Sequence, residues 1–150
     1  MDRKWMETIG LDMQVALEEK FGIEPVKLTG IVASGQNSLT AGMKTFVMKH
    51  GSGEIEAILL KQKDFSGSKL QSFVVKQLGS DLSAAHGMAE TQASEIAGFS
   101  ADYLVKRIVN AFQEADVSKD LDGICVFIGI DKNLLKMVNS PVGKMFGKFF

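Results

Sequence analysis

The side chains most capable of chemistry in the 150-residue chain are one cysteine, two histidines and a serine between two glycines, and only His50 and Ser52 are close together in sequence. Cys125 lies in an apolar run, where a thiol acts as a small hydrophobe with a raised pKa. His50 and His86 are 36 positions apart, and neither has a second histidine or a cysteine at helical or hairpin spacing. Ser52 lacks the strand-to-helix context of a hydrolase elbow, because a predicted strand follows it. No catalytic or cofactor-binding motif emerges.

Two glutamates and two lysines come nearest to a metal site. The predicted order of helix, three strands, helix and strand resembles that of the restriction-endonuclease-like nuclease core. In that family, carboxylates and an acid-x-lysine pair hold a divalent metal that activates water. Glu54 and Glu56 open the third predicted strand, but Lys61 stands where the acid of the pair is needed and Lys63 follows it. The resemblance covers element order only, and we assign no metal or cofactor.

Composition favours a soluble globular domain over residues 1–150. The chain is 45% hydrophobic and 23% charged, and its net charge of −1 argues against nucleic-acid binding. A single cysteine excludes an internal disulfide framework. The chain shows neither a signal-peptide pattern nor an apolar run long enough to cross a bilayer, so we expect a cytoplasmic protein.

Periodicity predicts a mixture of helices and strands. Apolar residues at helical spacing predict a first helix from Trp5 to Phe21, stopped by Gly22. Residues 26–32, 43–49 and 55–61 are predicted to be strands of an antiparallel meander, with a loop at 34–38 and a hairpin at 50–53.

The second half is predicted to hold helices around one buried strand. Ser66 or Ser68 can cap a helix that Gly79 closes, and an alanine-rich helical region follows it and ends before Asp116. The continuous apolar run 124–130 is typical of a central strand covered on both faces, and Asp131 can cap a short helix after it. The predicted fold class is therefore α+β.

Alanine recurs at every fourth residue through the middle of the chain. The ridge comprises Ala85, Ala89, Ala93, Ala97 and Ala101. Alanines at this spacing let a second helix approach closely, from the same chain or from a copy of it. Two alternatives remain open, an unbroken helix and one that ends at Gly98 and restarts at Ser100. We select Ala89, Ala93 and Ala97 as candidates for an interface between subunits.

The last ten residues form a predicted amphipathic helix. Ser140 is a suitable N-cap and Pro141 suits the first helical position. The apolar face comprises Val142, Met145, Phe146 and Phe149, while Lys144 and Lys148 lie opposite. No acidic residue follows Asp131. The segment can pack on its own domain, join a subunit interface or lie on a membrane surface; the first is favoured and the last is least expected.

These observations predict a non-catalytic cytoplasmic interaction domain that self-associates through helices as a symmetric homodimer. Met145, Phe146 and Phe149 complete the interface candidates. The alternative is a binder of a small apolar molecule or lipid, because eight methionines and ten phenylalanines could line an adaptable pocket. The metal-dependent nuclease is the third and least favoured hypothesis, and no specific nucleic-acid partner is expected.

Overall fold

The computed structural model describes residues 4–131 and residue 133, and the secondary structure of this part is helical throughout, without strands. Its six helices are α1 (Lys4–Phe21), α2 (Pro25–His50), α3 (Gly53–Leu59), α4 (Lys69–His86), α5 (Glu90–Glu114) and α6 (Leu121–Ile128). The predicted α+β class is therefore wrong, and so is the element order on which the nuclease resemblance rested.

The helices pack around one hydrophobic core. The α4–α5 pair makes the most extensive contact, followed by the packing of α2 on α4. Helix α1 lies against both α2 and α5, while α3 contacts α5 and α6. Helix α5 contacts all five other helices, including α6 through the Phe112–Phe127 ring contact, and most of its apolar residues from Ala93 to Phe112 are therefore buried.

The first two predicted strands and the loop between them are one helix, α2. Its buried positions follow helical spacing without a break from Leu28 to Val47. The apparent alternation at 26–32 misled because Val26 is 84% exposed and belongs to no core face. The polar stretch 34–38 is also helical, since Gly35 packs near Met13 and the buried hydroxyl of Ser38 donates to Asp81.

Residues 50–53, which were predicted to form a hairpin, instead connect helices α2 and α3. Gly51 ends α2 with a φ of 78°, and its N–H donates to the carbonyl oxygen of Val47. Ser52 then precedes α3, which replaces the third predicted strand. The turn residues were recognised correctly, but glycine and serine serve helix ends as readily as hairpins.

The predicted central strand at 124–130 is largely helix α6. Asp120 caps its first turn by accepting a hydrogen bond from Gly123 N–H at 3.0 Å, and Gly129 ends it with a φ of 74°. Val126 is 61% exposed, so the run is covered on one side only. The prediction rested on the β-rich apolar run and did not use Asp120 and Gly129, which mark the start and the end of the helix.

Of the remaining helix predictions, some are confirmed and one is wrong. The first helix and its stop at Gly22 are confirmed, and Ser68 caps α4 by accepting from Gln71 N–H. Gly79 does not end α4, which continues to His86 and stops at Gly87 in the left-handed conformation. Helix α5 runs unbroken through Gly98 and ends before Asp116 as predicted. The predicted helices after Asp131 lie outside the described residues.

Within residues 4–131, no helix is both long and apolar enough to cross a membrane.

Candidate functional site: an apolar cleft

An apolar cleft lies where helices α1, α2, α5 and α6 meet. Its enclosed space is small, about 40 Å³, and the wider opening around it, open solvent included, comprises about 440 Å³. It is lined by Met6 of α1, Thr40, Met43 and Lys44 of α2, Ile108 of α5, Phe127 and Ile128 of α6, and Ile130. Six of these eight residues are large and apolar, so the cleft suits a hydrophobic group. We call this site the apolar cleft.

Hydrogen bonds fix the α1–α2 wall of the cleft. The side-chain amide of Gln36 donates to the carbonyl oxygen of Met6 at 2.9 Å, which ties the start of α1 to α2. The Thr40 hydroxyl donates to the carbonyl oxygen of Gln36, one turn earlier in the same helix. Met43 is buried at the cleft, whereas Lys44 is exposed at its rim. The α1–α2 wall therefore places the apolar Met43 side chain inside the cleft and the Lys44 ammonium group at its rim.

The other wall depends on the turn that joins α5 to α6. The Lys119 ammonium donates to the carbonyl oxygens of Phe112 and Ala115, at 2.8 and 2.7 Å, and so stabilises the carboxyl end of α5. The Phe127 ring packs edge-on against Phe112, with centroids 5.4 Å apart. Ile128 and Ile130 remain half-buried. The turn thus holds α6 against α5 but leaves its apolar edge facing the cleft.

The alanines of the ridge lie away from the cleft, and they occupy different environments in the structure. Ala93 and Ala97 are buried against α4, where an added side chain on Gly79 would meet Ala97 at 3.8 Å. Ala89 is exposed at the start of α5, and Ala85 belongs to α4. The close helix contact is made within the chain, and a role for Ala89, Ala93 and Ala97 between subunits stays a prediction.

The other interface candidates, Met145, Phe146 and Phe149, lie outside the described residues. The cleft residues Ile108, Phe127 and Ile130 were not singled out from the sequence, and for Phe127 the reason is that its helix was predicted to be a strand. Met6 and Met43 were noted as methionines able to line an apolar pocket, and they do line this one.

The carboxylates considered for metal chemistry hold helix ends. Glu54 accepts a hydrogen bond from Leu70 N–H at 2.7 Å and lies 3.6 Å from the Lys63 ammonium. Glu56 accepts from the Ser52 hydroxyl at 2.8 Å. Among the residues that the structure describes, no group of three or more histidine, cysteine or acidic side chains could hold a metal ion.

One serine–histidine contact has the composition of a catalytic pair. The Ser34 hydroxyl lies 2.8 Å from His86 Nε2, across α2 and α4. Ser34 is in the middle of α2, where the neighbouring backbone N–H groups bond within the helix and cannot stabilise an oxyanion. The contact is therefore best understood as a link between two helices. His50, in turn, packs on the Phe46 ring, and Cys125 is buried in α6.

A pKa shift lies away from the cleft, at Arg107. The pKa of Arg107 is raised, mainly because its guanidinium donates to the Tyr103 hydroxyl and partly because Asp12 is near. Asp12 and Arg107 join α1 to α5 through an ion pair of 3.2 Å. Arginine stays protonated across the working pH range, so this shift implies no acid–base chemistry.

Comparison with protein-family models, with curated proteins and with solved structures finds no match to this chain. The functional argument therefore rests on the geometry of the cleft.

Proposed function

We propose that this chain is a non-catalytic interaction domain whose apolar cleft receives the apolar face of an amphipathic helical segment of a protein. The observation that carries the proposal is the concentration of large apolar side chains from α1, α2, α5 and α6 around one open cleft. Such grooves receive the side chains that a helix presents at positions i, i+3, i+4 and i+7. We further propose a cytoplasmic location, which the presence of a single cysteine in the sequence supports, because the chain has no internal disulfide framework.

The open mouth favours a protein segment over a small apolar ligand. Pockets for small molecules enclose most of the ligand surface, whereas this cleft remains open to solvent along one side. A docked helix covers such an opening with its own backbone and polar face. Lys44 at the rim would then contact a polar group of the segment rather than enter the apolar cleft.

A binding titration tests the proposal with the full chain. The probe is a fluorescein-labelled peptide of residues 139–150, which carries the apolar face of Met145, Phe146 and Phe149. We expect Met43→Lys to weaken peptide binding by about tenfold or more, because an ammonium group in the cleft loses hydration without gaining a partner. Met48→Lys is the matched control, since Met48 lies on the same helix and is 43% exposed.

A second cleft variant guards against misfolding. Ile130→Glu changes a half-buried side chain at the rim and disturbs the core less than Met43→Lys. Equal affinity in the wild type and in both cleft variants, with their helicity intact, contradicts the proposal. Strong binding of decanoate at the cleft without any binding of the peptide overturns it in favour of a small amphiphilic ligand.

A further inference from the structure

We infer that the resident occupant of the apolar cleft is the carboxyl-terminal segment of the same chain, residues 142–150, so that an external partner must displace it. This inference rests on the proposed function of the cleft and names a regulation of that site.

The first argument is continuity of the chain. Ile130 itself lines the cleft, so the residues that follow it start at the rim. Residues 131–141 separate Ile130 from Val142 and, fully extended, span up to about 36 Å. This reach exceeds what is needed to return to a cleft that begins beside Ile130. Binding within the chain also has the advantage of a high effective concentration, in the millimolar range for short linkers.

The second argument is chemical complementarity. Ile128 and Ile130 pack against the core on one side, line the cleft and are only half-buried. The segment 142–150 supplies a valine, a methionine and three phenylalanines in nine residues. Burial of these apolar side chains stabilises the docked segment and offsets the ordering of a short helix that is marginal by itself.

The third argument is the placement of charge. On the predicted helical wheel, Lys144 and Lys148 lie opposite the apolar face. Docking through that face therefore keeps both ammonium groups in water and away from Lys44 at the rim. The same segment lacks acidic residues, so it presents no side-chain carboxylate that burial in the cleft would desolvate.

Competition with an added peptide tests the inference in the full chain. The fluorescein-labelled peptide of residues 139–150 is titrated with the wild type and with the double variant Phe146→Ala, Phe149→Ala. The variant should bind the peptide about tenfold more tightly, because the fraction of molecules with an open cleft increases. The matched control is Lys144→Gln, Lys148→Gln, which changes the opposite face and should bind like the wild type.

The outcomes separate this inference from the proposed function. Equal binding by all three proteins overturns the inference and leaves the cleft as a binding site. Absence of binding even in the double variant, with its helicity intact, overturns the proposed function as well. If the difference between the wild type and the variant grows with protein concentration, and sedimentation shows a dimer of the wild type, the segment crosses to a second copy and the assignment within one chain is wrong.

Discussion

In the α4–α5 pair, glycine and alanine face each other across the contact between two helices of the same chain. Gly79 faces Ala93 and Ala97, both of which are fully buried. Around α6, by contrast, larger side chains meet less closely. Phe127 is buried against Phe112, yet Ile128 and Ile130 still face an opening. The small residues of α4 and α5 let the two helices pack closely, whereas the short helix α6 leaves apolar side chains partly exposed at the cleft.

The largest effect is expected in the turn that positions α6. A side chain on Gly123 would overlap the backbone carbonyl oxygen of Ser118, and backbone cannot rotate away as a side chain can. Gly123→Ala should therefore destabilise the protein by about 3 kcal/mol, at the upper end of overpacking effects. Urea denaturation measures this loss. A stability equal to that of the wild type would mean that the α5–α6 turn is not held as described.

Overpacking the α4–α5 contact is expected to have a smaller effect. Ala97→Leu places three extra carbon atoms where Gly79 already approaches, and it should destabilise by about 1–3 kcal/mol. Ala89→Leu is the matched control, because Ala89 is exposed and should tolerate leucine within about 0.5 kcal/mol. Equal unfolding free energies for the two variants would refute a close contact at Ala97.

A polar atom buried in α5 gives the third prediction. Within the part of the chain that the structure describes, the Ser100 hydroxyl has no hydrogen-bond partner and the residue is 1% exposed. Ser100→Ala removes the desolvated hydroxyl and should stabilise the protein by about 1 kcal/mol. Thermal unfolding should show a higher Tm. A lower Tm would indicate that the hydroxyl has a partner.

The smallest effect concerns the glycine inside α5. Nothing lies within 4 Å of an added side chain on Gly98, and the helix continues through it. Gly98→Ala should stabilise the protein by about 0.5–1 kcal/mol through helix propensity alone. Denaturant unfolding checks the sign. Destabilisation would imply that Gly98 provides space for a group outside the described residues.

Sequence patterns were informative where end signals and periodicity agreed. They agreed in α1, which Gly22 stops, and at the start of α4, where Ser68 caps the helix. They failed where apolar runs were short or polar residues interrupted a buried face. The Ser38–Asp81 hydrogen bond, for example, makes a serine a core residue, and no local pattern reveals such a partner.

The cleft was harder to foresee than the helices. Its walls come from α1, α2, α5 and α6, and their meeting depends on tertiary packing that residue spacing does not encode. Because residues 124–130 were predicted to be a strand buried on both faces, helix α6 was not predicted. The Asp120 cap and Gly129 at the end were the local signals that could have restored it.

The most direct test of the account is a nuclear Overhauser contact between the Met43 methyl group and the ring protons of Phe146 or Phe149. Full-length protein with labelled methionine methyl groups and with phenylalanine protonated against a deuterated background would supply it. The Met48 methyl, exposed on the same helix, serves as the reference. We predict contacts at Met43 that disappear in the Phe146→Ala, Phe149→Ala variant. Contacts from the Met43 methyl that persist unchanged in that variant, and so arise from other rings such as Phe127, would contradict docking of the segment in the cleft.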